Sequence, residues 1–126
     1  MPLLVLEGGR VRRARFDDIV EAVLTIIQLV PSGMVTTYGS IAKLLGVSPR
    51  LVGKALAMNK KPIVIPCHRV VMSDGRIGGY SGPGGPEFKR ALLTVEGVKL
   101  CGDRVDKGHV IDLYQLLGGD QQINTP

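Results

Sequence analysis

Residues 36–58 read TTYGSIAKLLGVSPRLVGKALAM, and their punctuation marks out two short helices. Gly39 to Leu45 has helical apolar spacing at Ile41, Leu44 and Leu45, and Gly46 follows where a helix ends on a left-handed glycine. Ser48 then Pro49 supplies an N-cap and a first-turn proline, opening a further helix to about Met58. Helix, glycine-containing turn, helix is the pattern of a helix-turn-helix. The second helix has two unlike faces. Val52, Ala55, Leu56 and Asn59 lie on one; Arg50, Gly53, Lys54 and Ala57 lie on the other, where small residues flanked by cations let backbone approach a phosphate chain. A helical hairpin with a solvated basic face fits the segment equally well, so the flanking sequence must decide.

Upstream, Asp18 with Glu21 three positions later resembles a capping box, predicting a helix from Asp18 to Val30, before the breaker Pro31-Ser32-Gly33. Residues 1–16 read as a short strand pair around Gly8-Gly9. Downstream, Ile63–Ile65 and Val70–Met72 are strand-like runs flanking Pro66-Cys67-His68-Arg69, and Ser73–Arg76 reads as a hairpin turn. Gly78–Pro86 is too rich in glycine for anything but a loop. Glu87 to about Glu96 reads as a helix with Phe88, Ala91, Leu92 and Val95 inward, closed by Gly97. Beyond it stand a short helix candidate at Ile111–Leu117 and a frayed end. The fold class that results is mainly α with a small β element.

Composition narrows the class. The chain has 126 residues, 44% of them apolar and 21% charged, enough apolar material for one domain and against intrinsic disorder. A formal net charge of +5 favours polyanionic partners without requiring them. The two cysteines, Cys67 and Cys101, make no disulfide framework and match no paired-cysteine zinc spacing, which points to a reducing compartment. No signal peptide is legible, and Glu21, Thr25 and Gln28 interrupt the longest apolar stretch on one helical face, so it reads as amphipathic instead of membrane-spanning.

Cys67 beside His68 is the one reactive pair. A thiol attacks only as thiolate, and a free cysteine of pKa about 8.5 is a few per cent ionised at neutral pH, so it needs a proton acceptor. Neighbours on an extended strand point to opposite faces, and contact between the two would need a bridging water or a turned backbone. A buried cysteine with a histidine capping nearby backbone is the alternative. Zinc held by Cys67, His68, Cys101 and His109 ranks below both, because adjacent ligands chelate awkwardly.

Ile65-Pro66-Cys67-His68-Arg69-Val70-Val71, preceded by Asn59 and followed by Gly78-Gly79-Tyr80-Ser81-Gly82, resembles the active-site signature of the O6-alkylguanine-DNA alkyltransferases. Pro31-x-Gly33-x-Val35-x-Thr37-Tyr38-Gly39-x-Ile41-Ala42 and Arg50-x-Val52-Gly53 stand upstream in the family's order, and the resemblance covers roughly residues 19–100. It implies a helix-turn-helix (winged-helix-like) DNA-binding domain over 17–126, with 1–16 as a short segment in place of the family's N-terminal domain. It implies direct-reversal repair, in which Cys67 takes the alkyl group from guanine O6 once and irreversibly. No metal or other cofactor is needed for that.

The resemblance also assigns roles. His68 takes the thiol proton through a water, Glu96 orients the histidine, Tyr38 meets guanine N3, and Asn59 braces the reactive turn. The carbonyls of Cys67 and Val70 receive the guanine amino group, the Ser81 amide lies near O6, and Lys89 lies close to Tyr38. Arg50 is the finger that fills the duplex after the nucleotide flips, with Gly53 and Lys54 on the same DNA-facing helix in the minor groove. The partner implied is double-stranded DNA carrying O6-alkylguanine, bound by a monomer in the cytoplasm, with the DNA, and not at a membrane. The short alkyltransferase-like proteins, which bind the lesion without repairing it, are the alternative, but they carry tryptophan where this chain has Cys67. The turn from Gly46 to Arg50 is tighter than the family's, and the loop at Gly82–Pro86 is longer.

Overall fold

A computed structural model describes residues 3–118. The chain opens with an antiparallel hairpin of β1 (Leu4–Glu7) and β2 (Arg10–Arg13), in register from Leu4↔Arg13 to Glu7↔Arg10. Helix α1 (Phe16–Ile27) starts two residues ahead of Asp18, and the expected Asp18–Glu21 box is not the cap. Asp18 itself occupies the third helical position: its carboxylate accepts the Arg15 N–H at 2.7 Å and takes the Arg12 guanidinium at 2.7 Å. Past Ile27 the chain keeps tightening through bonds three residues back, Val30 N–H to Ile27 carbonyl at 3.1 Å, so it turns as far as the Val30 boundary without remaining α-helical.

The next pair follows its sequence signals. α2 (Tyr38–Leu45) is capped by Thr37, whose hydroxyl accepts the Ser40 N–H at 3.0 Å, and ends on Gly46 at φ 72°. α3 (Pro49–Leu56) carries Pro49 in its first turn and is capped by Ser48, which accepts the Leu51 N–H at 3.1 Å. It stops short of Met58, where Met58 and Asn59 bond three residues back. Ile19, Val23 and Ile27 of α1 pack with Ile41 and Leu45 of α2 and Val52 and Leu56 of α3 in the larger of two cores. Val35, Val71, Leu93, Val98 and Val105 form the other.

Strand β4 (Val70–Val71) runs between these cores and pairs in parallel with β3 (Thr36–Thr37). Alternate side chains of a strand face opposite ways, so Val70 enters the first core and Val71 the second. The segment feeding β4 therefore has little freedom. The expected strand at Ile63–Ile65 is absent: Ile63 sits at φ 78°, and Val64 is 77% exposed. The backbone there is engaged locally instead, with the Ile65 N–H on the Lys61 carbonyl at 2.9 Å.

Helix α4 (Gly85–Val95) begins two residues before Glu87, and its inward face is rotated from the expected one. Lys89 and Leu93 are fully buried, whereas Ala91 is exposed and Val95 is 85% exposed. A hairpin of β5 (Leu100–Cys101) and β6 (Arg104–Val105) follows, too short to stand out in the sequence. In place of the expected helix at Ile111–Leu117 there is a wide helical turn at Tyr114–Gly118, with the Lys43 ammonium 4.5 Å from the Tyr114 ring centre. The expected frayed end falls at 119–126, outside the described residues. No helix among the described residues is long and apolar enough to cross a membrane.

Ile27 is fully buried among three helices. Ile27→Ala is expected to lower unfolding stability by about 2–5 kcal/mol, read as a lower urea midpoint at unchanged denaturant slope.

Candidate active site

Cys67, His68 and Arg69 form a single 3-10 turn, N-capped by Pro66 and closed by the Val70 N–H on the Cys67 carbonyl. This is the turned backbone that an adjacent Cys-His pair requires; neither residue lies on a strand. The turn buries His68 completely and leaves Cys67 partly open. His68 Nε2 lies 2.9 Å from Glu96 Oε2, across 28 residues of chain.

Glu96 caps the C-terminal end of α4, and Arg69 holds it there. The Arg69 guanidinium donates to both Glu96 oxygens at 2.9 and 2.8 Å and to the Val30 carbonyl at 2.8 Å. Burial opposes the charge on Glu96, but hydrogen bonds from Arg69 and His68 outweigh it and keep the carboxyl below its usual pKa. For His68 burial dominates, and its pKa falls below 6.5 despite the Glu96 bond that favours the imidazolium. The histidine is thus neutral at pH 7, with Nε2–H donating to the carboxylate and Nδ1 carrying the free lone pair. Nδ1 is buried and has no hydrogen-bond partner among the described residues. A base oriented by a carboxylate is what a neighbouring thiol needs.

A cavity of about 330 Å³ opens at Cys67, lined by Tyr38, Gly53, Leu56, Gly79, Tyr80 and Ser81. Gly53 lies in this lining, and a Cβ built on it would come to 3.9 Å from the Tyr38 ring, in ordinary contact. Burial, with a smaller electrostatic contribution from the Cys67 sulfur, raises the pKa of Tyr38, which stays a hydroxyl donor at neutral pH. Arg50 is exposed and lines an adjoining concavity.

Lys89 reaches the same region from α4. Its ammonium donates to the carbonyls of Val70 at 2.8 Å, Ile77 at 2.6 Å and Gly79 at 3.0 Å. Burial pushes its pKa down to about 8, yet only the charged amine has three protons for three acceptors, so it remains an ammonium at pH 7. The Val70 carbonyl therefore already holds one donor, as does that of Cys67, and each has one further lone pair for a ligand. Asn59 binds the loop before the turn at both ends: its amide donates to the Ile65 carbonyl at 2.8 Å and its oxygen accepts the Lys61 N–H at 2.9 Å.

The family model for "6-O-methylguanine DNA methyltransferase, DNA binding domain" matches residues 18–98, more than half of the chain. The chain belongs to this family. A methylated-DNA–protein-cysteine methyltransferase of Pyrobaculum aerophilum is 50% identical over 88 residues, which cover 70% of this chain and 57% of the relative. One from Methanothermobacter thermautotrophicus is 48% identical, covering 64% and 44%. The chain spans about half the length of the curated relatives it matches. Among solved structures, Mycobacterium tuberculosis OGT in complex with DNA superposes with a TM-score of 0.59 at 37% identity, covering 68% of this chain and 52% of that one. S. pombe Atl1 in complex with damaged DNA containing O6-carboxymethylguanine gives 0.62 at 31% identity, covering 70% and 83%. The mainly helical, helix-turn-helix fold expected from the sequence is the fold of this family's DNA-binding domain.

Within this family member the sequence reading passed over two residues. Arg69 stands in the reactive motif, but its clamp on Glu96 joins residues too far apart in the chain for spacing to reveal. Tyr80 lines the Cys67 cavity and packs against Phe88 at 6.5 Å between ring centres, a contact set by α4 docking. Cys101 lies exposed on β5 and His109 bonds the Gly33 carbonyl at 2.8 Å, so the four soft ligands do not converge; no metal-holding group of His, Cys, Asp or Glu occurs among the described residues.

The depressed pKa of His68 sets a stability window. Above pH 6.5 the histidine is neutral in both states and stability is full; between 6.5 and the lower folded value only the unfolded chain takes the proton, and stability falls with pH. The contribution is at most about 1.4 kcal/mol per pH unit. Urea unfolding from pH 8 to 5 is expected to show this slope in the native protein and less of it in His68→Gln. Equal slopes would mean that His68 is not the group titrating.

Proposed function

We propose that this chain repairs O6-alkylguanine in duplex DNA by moving the alkyl group to Cys67, once per molecule. The observation that carries the reading is the buried relay: neutral His68, held through Nε2 by Glu96, keeps a free Nδ1 lone pair on the same turn as an accessible thiol. Nδ1 takes the Cys67 proton through a water. The sulfur then forms a bond to the alkyl carbon as the O6–carbon bond breaks, its electron pair staying on the guanine, which takes up a proton in place of the one released. The Tyr38 hydroxyl stabilises that developing charge at N3, and the Ser81 amide does so near O6. The product thioether has no carbonyl for water to attack, so the cysteine is not regenerated.

A base stacked in a duplex cannot reach the cavity, and extrusion costs a few kcal/mol. The exposed Arg50 at the start of α3 fills the gap left behind, with Gly53 giving backbone clearance and Lys54 meeting phosphate. Entry from the minor groove suits a protein that must ignore flanking sequence, because that groove carries a degenerate code. Asn59 and Lys89 position the reactive turn, and the Cys67 and Val70 carbonyls accept the guanine amino group. The reacting unit is residues 17–126, a monomer working with no metal or organic cofactor wherever the DNA lies, in cytoplasm or nucleus. A second reading, damage recognition without transfer, draws on the likeness to Atl1 bound to damaged DNA, of which the chain covers 83%.

Intact-protein mass spectrometry after incubation with a duplex bearing one O6-methylguanine separates the two. One methyl on Cys67, reached at one equivalent and never exceeded, is the expected result; binding without added mass would leave damage recognition. Glu96→Gln is expected to slow transfer roughly tenfold or more at unchanged DNA affinity. Arg50→Ala is expected to weaken duplex binding about tenfold, a loss of about 1.4 kcal/mol, and to slow duplex repair well beyond any effect on free O6-benzylguanine. Equal loss on both substrates would remove Arg50 as the finger.

A further inference from the structure

The Cys67 cavity does not stand alone. A second concavity, of about 580 Å³, shares Tyr38 and Gly79 with it. One wall is the start of α3, at Pro49 and Arg50; the other is the turn after β4, at Met72, Ser73 and Arg76. We infer that Arg76, outside the helix-turn-helix, is a phosphate contact for the strand that delivers the damaged base. This rests on the duplex-repair reading above. A guanine seated against Cys67 stays joined to its strand, which must leave the cavity past Tyr38. The concavity on that side offers two guanidinium groups, Arg50 and Arg76, on opposing walls.

The local structure suits such a contact. The root of Arg76 is fixed: its carbonyl accepts the Met72 N–H at 2.8 Å, its N–H donates to Asp74 Oδ1 at 3.1 Å, and its backbone bridges that of Arg104. Its head is not. Among the described residues the one side-chain partner of the guanidinium is Asp74 Oδ2 at 2.8 Å, and the two side chains are 47% and 42% exposed. An exposed ion pair of this kind is weak, whereas a phosphate can take an arginine fork bidentately with release of a counterion. Asp74 is thus the resident competitor: it parks the guanidinium at the rim of the concavity and repels a phosphate that would displace it.

The test uses the full chain and a duplex with one O6-methylguanine, with affinities measured over a salt series on a Cys67→Ser background and methylation rates on the native cysteine. Arg76→Gln is expected to reduce the slope of log affinity against log salt by about 0.9, and to lower the subsaturating duplex rate by severalfold more than the rate with free O6-benzylguanine. Asp74→Asn, which keeps the oxygen that accepts the Arg76 N–H, is expected to tighten duplex binding. An unchanged salt slope and duplex rate in Arg76→Gln, beside a native protein that methylates itself, would overturn the phosphate contact and leave the repair reading standing. Equal slowing on duplex and free base would overturn it too, placing Arg76 at the base pocket. A native protein that neither binds nor takes up the methyl group would overturn the repair reading, and the inference with it.

Discussion

The site hangs on the Glu96 carboxylate. It receives two hydrogen bonds from Arg69 and one from His68, and Arg69 carries the tie on to the Val30 carbonyl behind α1. A single anion thereby joins the end of α4, the reactive turn and the end of the first helix. The cost of burying it is offset because every bond is charge-assisted or made to a neutral ring whose protonation it controls. Without the carboxylate, His68 Nε2 and the Arg69 fork would both be left unpaired beside the core, and the imidazole would have no reason to keep its proton on the nitrogen away from the thiol.

Lys89 does for the other side of the cavity what Arg69 does for the relay. The carbonyls of Val70, Ile77 and Gly79 all turn toward one ammonium, so two stretches of backbone that share no regular sheet, β4 and residues 77–79, are held about one point. An interior lysine is an expensive way to brace a loop unless all its donors are used, and here they are. The strand between the two cores, the ammonium and the Asn59 bridge leave the reactive turn with few ways to relax. The backbone around Cys67 is positioned by polar groups more than by apolar packing.

How much of this was legible varies with the range of the interaction. α2 and α3 follow from capping and glycine signals a few residues apart, and so does the β1–β2 hairpin at Gly8-Gly9, because the chemistry that fixes them is local; at Ser73–Arg76 the turn forms but joins no hairpin, since β4 pairs with β3 and Arg76 bridges Arg104. The reactive turn is different. Ile63–Ile65 has the composition of a strand and becomes a loop, because Asn59 and Lys61 satisfy its backbone from upstream. α4 was rotated in the reading because an ordinary lysine belongs in water; only the three carbonyls, assembled by the fold, make Lys89 the inward residue and send Val95 out. Cys67 and His68 stand in the motif and Glu96 comes from the resemblance, while the clamp of Arg69 on that carboxylate is a product of tertiary structure.

One geometric property of α4 bears on how such a chain can vary. Lys89, Leu93 and Glu96 lie on one helical face, and the seven steps from Lys89 to Glu96 fix a span of roughly 10 Å between the brace and the relay. The helix is in effect a ruler. One residue inserted between them would turn one end by about 100° relative to the other and take either the brace or the carboxylate off the site. The stretch just ahead is held by a different requirement: Gly84 and Gly85 sit at φ 83° and 65°, a region that favours glycine, and no side chain there belongs to the relay. A change of length between residues 89 and 96 therefore costs the brace or the relay outright, whereas one at residues 82–85 leaves both at their fixed separation.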